Sequence, residues 1–260
     1  MPKGFGSASI SYDKDFTFTK IGKAQRNRVY SYINSIISNS KKISILEINC
    51  GTGEDAIKFA QLGHKVLATD VSPEMIEIAN AKTNLNNLQF EVLDINLINP
   101  KDFVQKFDLV FSNFGGLNCI SKDQLNIFFG KCVPLLKPQG KIVAVIMSKK
   151  CLWEIFYFFL KGKFITAKRR NTNSPIVIKV HGEPIKTWFY NPKDIVSLTE
   201  KLFVIKFIKP IGISIPPSYL ENSFVTKGIV FKVLVIIEKL LGLSALAKYA
   251  DHFIIELEKR

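Results

Sequence analysis

The chain has 260 residues, 47% of them hydrophobic, with a formal net charge of +14. That size and apolar content suffice for one good-sized core, and the lack of internal repeats, low-complexity tracts or a long linker excludes a solenoid. The charge is uneven: residues 1 to 140 carry 16 Lys and Arg against 13 Asp and Glu, and residues 141 to 260 carry 20 against 9.

The basic excess of the second half implies an acidic partner, whether a phosphorylated or carboxylated substrate, an anionic membrane surface or RNA. A generally Lys-rich, soluble surface accounts for it equally well. Four cysteines, Cys50, Cys119, Cys132 and Cys151, form no close metal-ligand pair, so no metal is expected. The start, Met1 to Ile10, lacks the apolar core of a signal peptide, which points to a reducing, cytoplasmic setting. The oligomeric state is left open.

In chain order, the apolar run Ile43 to Leu46 closes in Glu47 and leads through Ile48-Asn49-Cys50 into Gly51-Thr52-Gly53. Glycines without a Cβ let the backbone turn left-handed and approach a ligand, and a helix beginning near Glu54 adds unpaired NH groups. Cys50, in the turn, reads as a small space-filling residue. The helix Asp55 to Leu62 ends at Gly63. The next strand, His64 to Ala68, closes in Asp70, and an acid about 20 residues beyond the glycines is placed to accept both hydroxyls of a ribose.

Ser72 caps a second helix running to about Ala81. A strand, Leu88 to Leu93, ends in Asp94-Ile95, an acid for an adenine amino group beside a branched residue for the ring face. Phe107 to Phe111 is apolar enough to be central in a parallel sheet, and runs into Ser112-Asn113-Phe114-Gly115-Gly116 at the strand end where ligands bind. There Asn113 either orients a ligand or forms the turn. A helix from Gln124 to Leu136, a turn Lys137 to Gly140 and a strand Lys141 to Met147 follow.

On these residues the chain resembles the class I S-adenosylmethionine-dependent methyltransferases, over about residues 12 to 147. The resemblance implies an α/β, Rossmann-like, seven-stranded, mostly parallel sheet with helices on both faces. It also implies S-adenosyl-L-methionine as cofactor: Glu47, Asn49, Gly51 and Gly53 near its methionine part, Asp70 on the ribose, Asp94 and Ile95 at the adenine, and Asn113 beside it. The family usually has glycine where this chain has Asn49, a residue that tolerates left-handed angles. A nicotinamide enzyme is the nearest competitor, since Gly51, Gly53 and Ala56 satisfy the dinucleotide spacing. A carboxylate at Glu47 repels a pyrophosphate and attracts an ammonium, which favours the methyl donor.

Beyond the core the chain is expected to continue as one domain, 1–260, with a substrate-covering elaboration over about 148–250 and a last strand at 252–257. The aromatic stretch Cys151 to Leu160 reads as a buried helix, followed by Arg169 and Arg170 as guanidinium candidates for an anionic substrate. Ile176 to Val180 and Ile185 to Tyr190 flank His181-Gly182-Glu183-Pro184 as a hairpin, ahead of a helix near Pro192 to Leu202. Phe203 to Ile208 and His252 to Leu257 read as late strands, which the family resemblance implies complete the sheet as an antiparallel edge pair. The apolar helix Val225 to Leu241 is interrupted by Lys227, Lys232, Glu238 and Lys239 too often to span a bilayer. Packing on the core is its default, with a greasy substrate or peripheral membrane contact as the alternatives.

The expected activity is methyl transfer to a small molecule. No residue stands out as a base; Tyr12, Asn113, His181 and Tyr219 are candidates for proton transfer or substrate positioning. An RNA methyltransferase is the second reading, weakened because Ser112 to Gly115 lacks a Pro-Pro-aromatic run. A non-catalytic membrane-surface or complex-forming protein that keeps the fold is the third.

Overall fold

The computed structural model describes residues 9–38, 41–180 and 182–260. The described chain opens with a single helical turn, α1 (Ser9–Tyr12), which widens into a π-helical turn at Asp13–Thr17. Thr19 then caps α2 (Lys20–Ile37) by accepting from Gly22 N. Helix α2, for which the sequence reading had no expectation, is amphipathic: Ile21, Gln25, Val29, Ile33 and Ile37 recur at helical spacing and are buried.

Strands and helices then alternate as β1 (Ser44–Ile48), α3 (Glu54–Gln61), β2 (Lys65–Asp70), α4 (Pro73–Ala81), β3 (Leu88–Val92), β4 (Phe107–Ser112), α5 (Lys122–Leu135) and β5 (Leu136–Met147). Ser72 does cap α4, accepting from Met75 N. The Lys137–Gly140 stretch, expected as a turn, is absorbed into β5, with Gln139 at φ +60° and a register irregularity against β4.

Helices α6 (Leu152–Leu160) and α7 (Phe164–Ala167) precede the hairpin of β6 (Ile176–Val180) and β7 (Glu183–Thr187). The hairpin turn is tighter than expected, because Val180 pairs directly with Glu183 and Gly182 supplies φ +87°. Then come α8 (Pro192–Thr199), β8 (Phe203–Ile211), α9 (Gly228–Leu240) and β9 (His252–Lys259).

The main sheet has seven strands in the order β3-β2-β1-β4-β5-β9-β8. The first five are parallel, and β9 runs antiparallel between β5 and β8. The order reverses between β1 and β4, which opens a crevice at their carboxyl ends.

Two apolar layers cover the sheet. On one face Val29 and Ile33 of α2 meet Phe59 of α3, Phe111 and Val145; on the other Leu125 and Phe129 of α5 and Ile195 of α8 meet Leu46, Ile142 and Ile255. Burial of each such side chain contributes about 1.5–3 kcal/mol. Because side chains alternate along a strand, Glu47 projects from β1 to the same face as Ile45, toward α2 and α3.

Candidate active site

Glu47 is buried, and one of its carboxyl oxygens has no hydrogen-bond partner. Burial pushes its carboxyl well above the usual range, Asp55 and Asp70 push it further, and Arg26 opposes them. Asp55, in the first turn of α3, accepts from Tyr30 and from Asn113 Nδ2 at 3.0 Å. Its Oδ1 also lies 3.1 Å from Arg26 Nε, an ion pair not aligned as a hydrogen bond. Three acids and one arginine thus surround the tip of β1.

The turn between β1 and α3 is held left-handed at Asn49 (φ +60°), Gly51 (φ +55°) and Gly53 (φ +81°). A Cβ at Gly51 would touch the Tyr12 ring at 3.7 Å, while one at Gly53 would lie 2.7 Å from the Phe90 ring. Asp70 clasps the turn: its oxygens accept from Gly51 N at 2.9 Å and Ser72 N at 3.0 Å. Burial pushes its carboxyl up against those backbone donors, and each oxygen retains capacity for a further donor. Asp94 accepts from Asn96 N and Nδ2 and stays half-buried, whereas Ile95 is buried in the apolar layer with Ile98 and Leu117. Asn113 ends β4 beside Phe114 (φ +40°).

The N-terminal segment closes this hollow. Tyr12 lies against Gly51, and Asp13 binds Lys82 and the Thr52 hydroxyl. The remaining void, lined by Tyr12, Arg26, Asn49, Gly51, Asp55 and Phe114 among others, is about 20 Å³. Burial, against Arg26 and with Asp70 and Asp55, raises the Tyr12 phenol to about 12. Tyr12 therefore keeps its proton at neutral pH and is a donor rather than a base. Cys50 is a buried thiol pushed well up by burial and by Glu47, consistent with a space-filling role.

The structure therefore brings Tyr12, Glu47, Asn49, Gly51, Gly53, Asp70 and Asn113 together. Sequence reasoning missed Arg26, Tyr30 and Asp55. Asp55 could have been read as the residue after the helix start, but Arg26 and Tyr30 lie on a helix with no motif. His252, the first residue of β9, packs edge-on to Phe114 at 5.3 Å and lies 3.3 Å from Asp251.

Other expected site residues lie elsewhere. Arg170 is buried and paired to Glu154 and Asp251, both at 2.9 Å, and Arg169 grips Glu154 bidentately at 2.8 and 3.0 Å. The anion partners expected from a substrate are thus supplied by the protein's own carboxylates. Tyr219 belongs to the same cluster, its hydroxyl 3.4 Å from Glu154 and its ring against Tyr157 and Phe158. His181 lies outside the described residues.

Comparison with known proteins bears on the domain and the fold. Residues 45–140 match the family model of a methyltransferase domain. The malonyl-(acyl-carrier protein) O-methyltransferase of Bacillus cereus is 29% identical over 132 residues, 49% of this chain and 47% of that protein. The protein of the same description from Acetivibrio thermocellus is 29% identical over 204 residues, 76% of this chain and 63% of that one. The chain spans about half the length of the first of these curated relatives.

Among solved structures, magnesium protoporphyrin IX methyltransferase from Synechocystis with bound S-adenosylhomocysteine superposes with a TM-score of 0.61 at 14% identity, covering 100% of this chain and 98% of that one. A SAM-dependent methyltransferase from Methanosarcina mazei superposes with a TM-score of 0.58 at 16% identity, covering 88% and 97%. At such identities these likenesses speak for the fold. The chain thus shares the fold of these S-adenosylmethionine-dependent methyltransferases, and its residues 45–140 match a methyltransferase domain.

Proposed function

We propose that this protein transfers a methyl group from S-adenosylmethionine to a small-molecule acceptor. The observation that carries the reading is Glu47: a buried carboxyl with an unpartnered oxygen, beside two further acids and a left-handed glycine turn, is costly unless a cation completes it. The cofactor's ammonium is such a cation.

The residues present fit the rest of that cofactor. Glu47 and Asp55 would hold its ammonium, Arg26 its carboxylate, Asp70 the ribose hydroxyls and Asp94 the adenine amine. When bound, the cofactor supplies an electrophilic methyl on a sulfonium. The protein's own work is to hold that donor in line with an acceptor, exclude water and take up a proton where the acceptor carries one. Tyr12 and Phe114 shut solvent from the hollow. Since the void is only about 20 Å³, entry of an adenosyl cofactor requires α1 and the Asp13–Thr17 turn to swing away from Gly51 and Lys82.

His252 beside Phe114 is the titratable side chain we assign to the acceptor side. The relatives named malonyl-(acyl-carrier protein) O-methyltransferases make a carboxyl-bearing small molecule the first acceptor class to test. We place the protein in the cytoplasm on the strength of its free cysteines; among the described residues no helix is long and apolar enough to cross a membrane. Labelled methyl transfer into a small-molecule extract, with and without nuclease, tests the reading. Label in nuclease-resistant small molecules is expected, and label only in nuclease-sensitive material would replace the reading with RNA methylation.

A further inference from the structure

Two helices of the second half are built inside out. Helix α6 has one acid, Glu154, and it is buried, fixed by Arg169 and Arg170, while Leu152, Phe156, Phe159 and Leu160 are exposed. Helix α9 also has one acid, Glu238, and it too is buried: it accepts from Gly212 N, Ser214 N and Oγ and Ile215 N at 2.8–3.2 Å. Its outward side chains are Ile229, Val233, Ile236 and Leu240. A helix on a water-facing surface normally does the reverse. The sequence default, that these aromatic and aliphatic runs pack on the core, therefore holds for only one side of each helix.

The two helices share a base. Trp153 and Tyr157 of α6 and Phe231 and Val235 of α9 all pack on the small apolar cluster of Ile21, Ile215 and Leu220. Exposed lysines stand around these apolar side chains: Lys161, Lys163 and Lys168 beside α6 and α7, Lys227 just before α9, and Lys232 and Lys239 on it. Ile165 of α7 and Phe224 before α9 extend the apolar surface at 92% and 77% exposure. Between α2 and α9 runs a groove of about 520 Å³, floored by Phe231 and Val235 and rimmed by Lys20, Lys23, Arg28 and Lys239. Glu238 at its base is consumed by the loop.

We propose that this face of α6, α7 and α9 seats the protein on an anionic lipid bilayer, with the groove beside α9 receiving acidic headgroups. Outward apolar side chains bury themselves at the headgroup–acyl boundary, the lysines snorkel to the phosphates, and each contributes to attraction by an anionic leaflet. Both helix acids are withdrawn from the surface, where they would be repelled. An acidic protein partner would meet the lysines but would leave most of the exposed aliphatic side chains wet, so the bilayer accounts for more of the face. Seating there is independent of methyl transfer.

Flotation of the full chain with vesicles tests this. Binding to vesicles containing phosphatidylglycerol is expected, with little to pure phosphatidylcholine, and it should weaken in high salt. Ile236→Glu should weaken it about tenfold, and Lys232→Gln by a smaller factor. Both residues point outward, so circular dichroism and the melting temperature should be unchanged. No flotation, equal binding to neutral vesicles, or a dimer in sedimentation that Ile236→Glu dissolves would each overturn the proposal, the last by making the face a self-interface.

Discussion

Asn49 and Gly116 are fitted to one another. Asn49 holds a left-handed angle on the strand-tip turn, and its side chain occupies the space that a Cβ on Gly116 would fill. The asparagine on the strand-tip turn is thus accommodated by a glycine on the neighbouring loop. Gly116→Ala should destabilise the protein by about 1–3 kcal/mol through overpacking. Asn49→Gly in the same chain should restore most of that, because it vacates the space. Urea unfolding of the two single variants and the double variant measures the coupling, and additive losses would mean that the two residues do not compete for one volume.

Glu47 offers a test in which stability and binding move in opposite directions. Its folded-state carboxyl is raised, chiefly by burial, so the native state holds a proton that the unfolded state releases. The sign follows: stability falls as pH rises from the unfolded carboxyl range toward the raised native one. Glu47→Gln should therefore raise the melting temperature of the ligand-free protein at neutral pH while weakening cofactor binding. Binding of a cation should expel the proton, so wild-type affinity should rise with pH across the same window. Calorimetry in buffers of different ionisation enthalpy reads the proton directly.

The ion cluster of Arg170, Glu154 and Asp251 has the opposite pH sign. Burial alone would raise both carboxyls, but His252 and Arg170 hold Asp251 low, and Arg169 and Arg170 hold Glu154 low. Their contribution is present above the unfolded carboxylate range and is lost as pH falls through the depressed native values. Arg170→Met should cost about 3 kcal/mol, at the low end for a broken buried pair, since it removes the cation shared by two buried carboxylates and leaves Glu154 to Arg169 and Asp251 to His252 and Gln25. It should also flatten the acid limb of the stability curve. An unchanged acid limb would show that the cluster does not govern acid unfolding.

Much of the site was legible because its chemistry is local in sequence. A strand, a glycine turn and a helix, Glu47 to Asp55, follow one another directly, Asp70 ends β2, and Asp94 follows β3 by two residues. The late strands were legible as apolar runs, and their antiparallel pairing came from the family resemblance, which the sheet order bears out. Arg26 and Tyr30 were not, because α2 reaches the site only after packing across the sheet through Val29 and Ile33. Arg169 and Arg170 were misassigned because nothing in the sequence shows that Glu154 and Asp251, one 15 residues before Arg169 and the other 81 residues after Arg170, are their partners. The outward apolar side of α9 was hidden likewise: only the loop amides that hold Glu238 reveal which side faces in.

The clasp between Asp13 and Lys82 holds the N-terminal segment over the hollow. Lys82→Ala leaves Asp13 with the Thr52 and Thr17 hydroxyls and should speed both entry and release of S-adenosylhomocysteine. The fold stability should change by no more than about 1 kcal/mol, as for a partly exposed pair. Stopped-flow tryptophan fluorescence measures both rates, and rates identical to wild type would show that the segment does not gate the hollow.

The most direct measurement is the thermal shift given by S-adenosylhomocysteine to the wild-type chain and to Asp70→Ala. A saturable rise in melting temperature for the wild type, lost or much reduced in Asp70→Ala, is the expected result. No rise in the wild type, or an equal rise in both, would contradict the assignment of the strand-tip hollow as the adenosyl site.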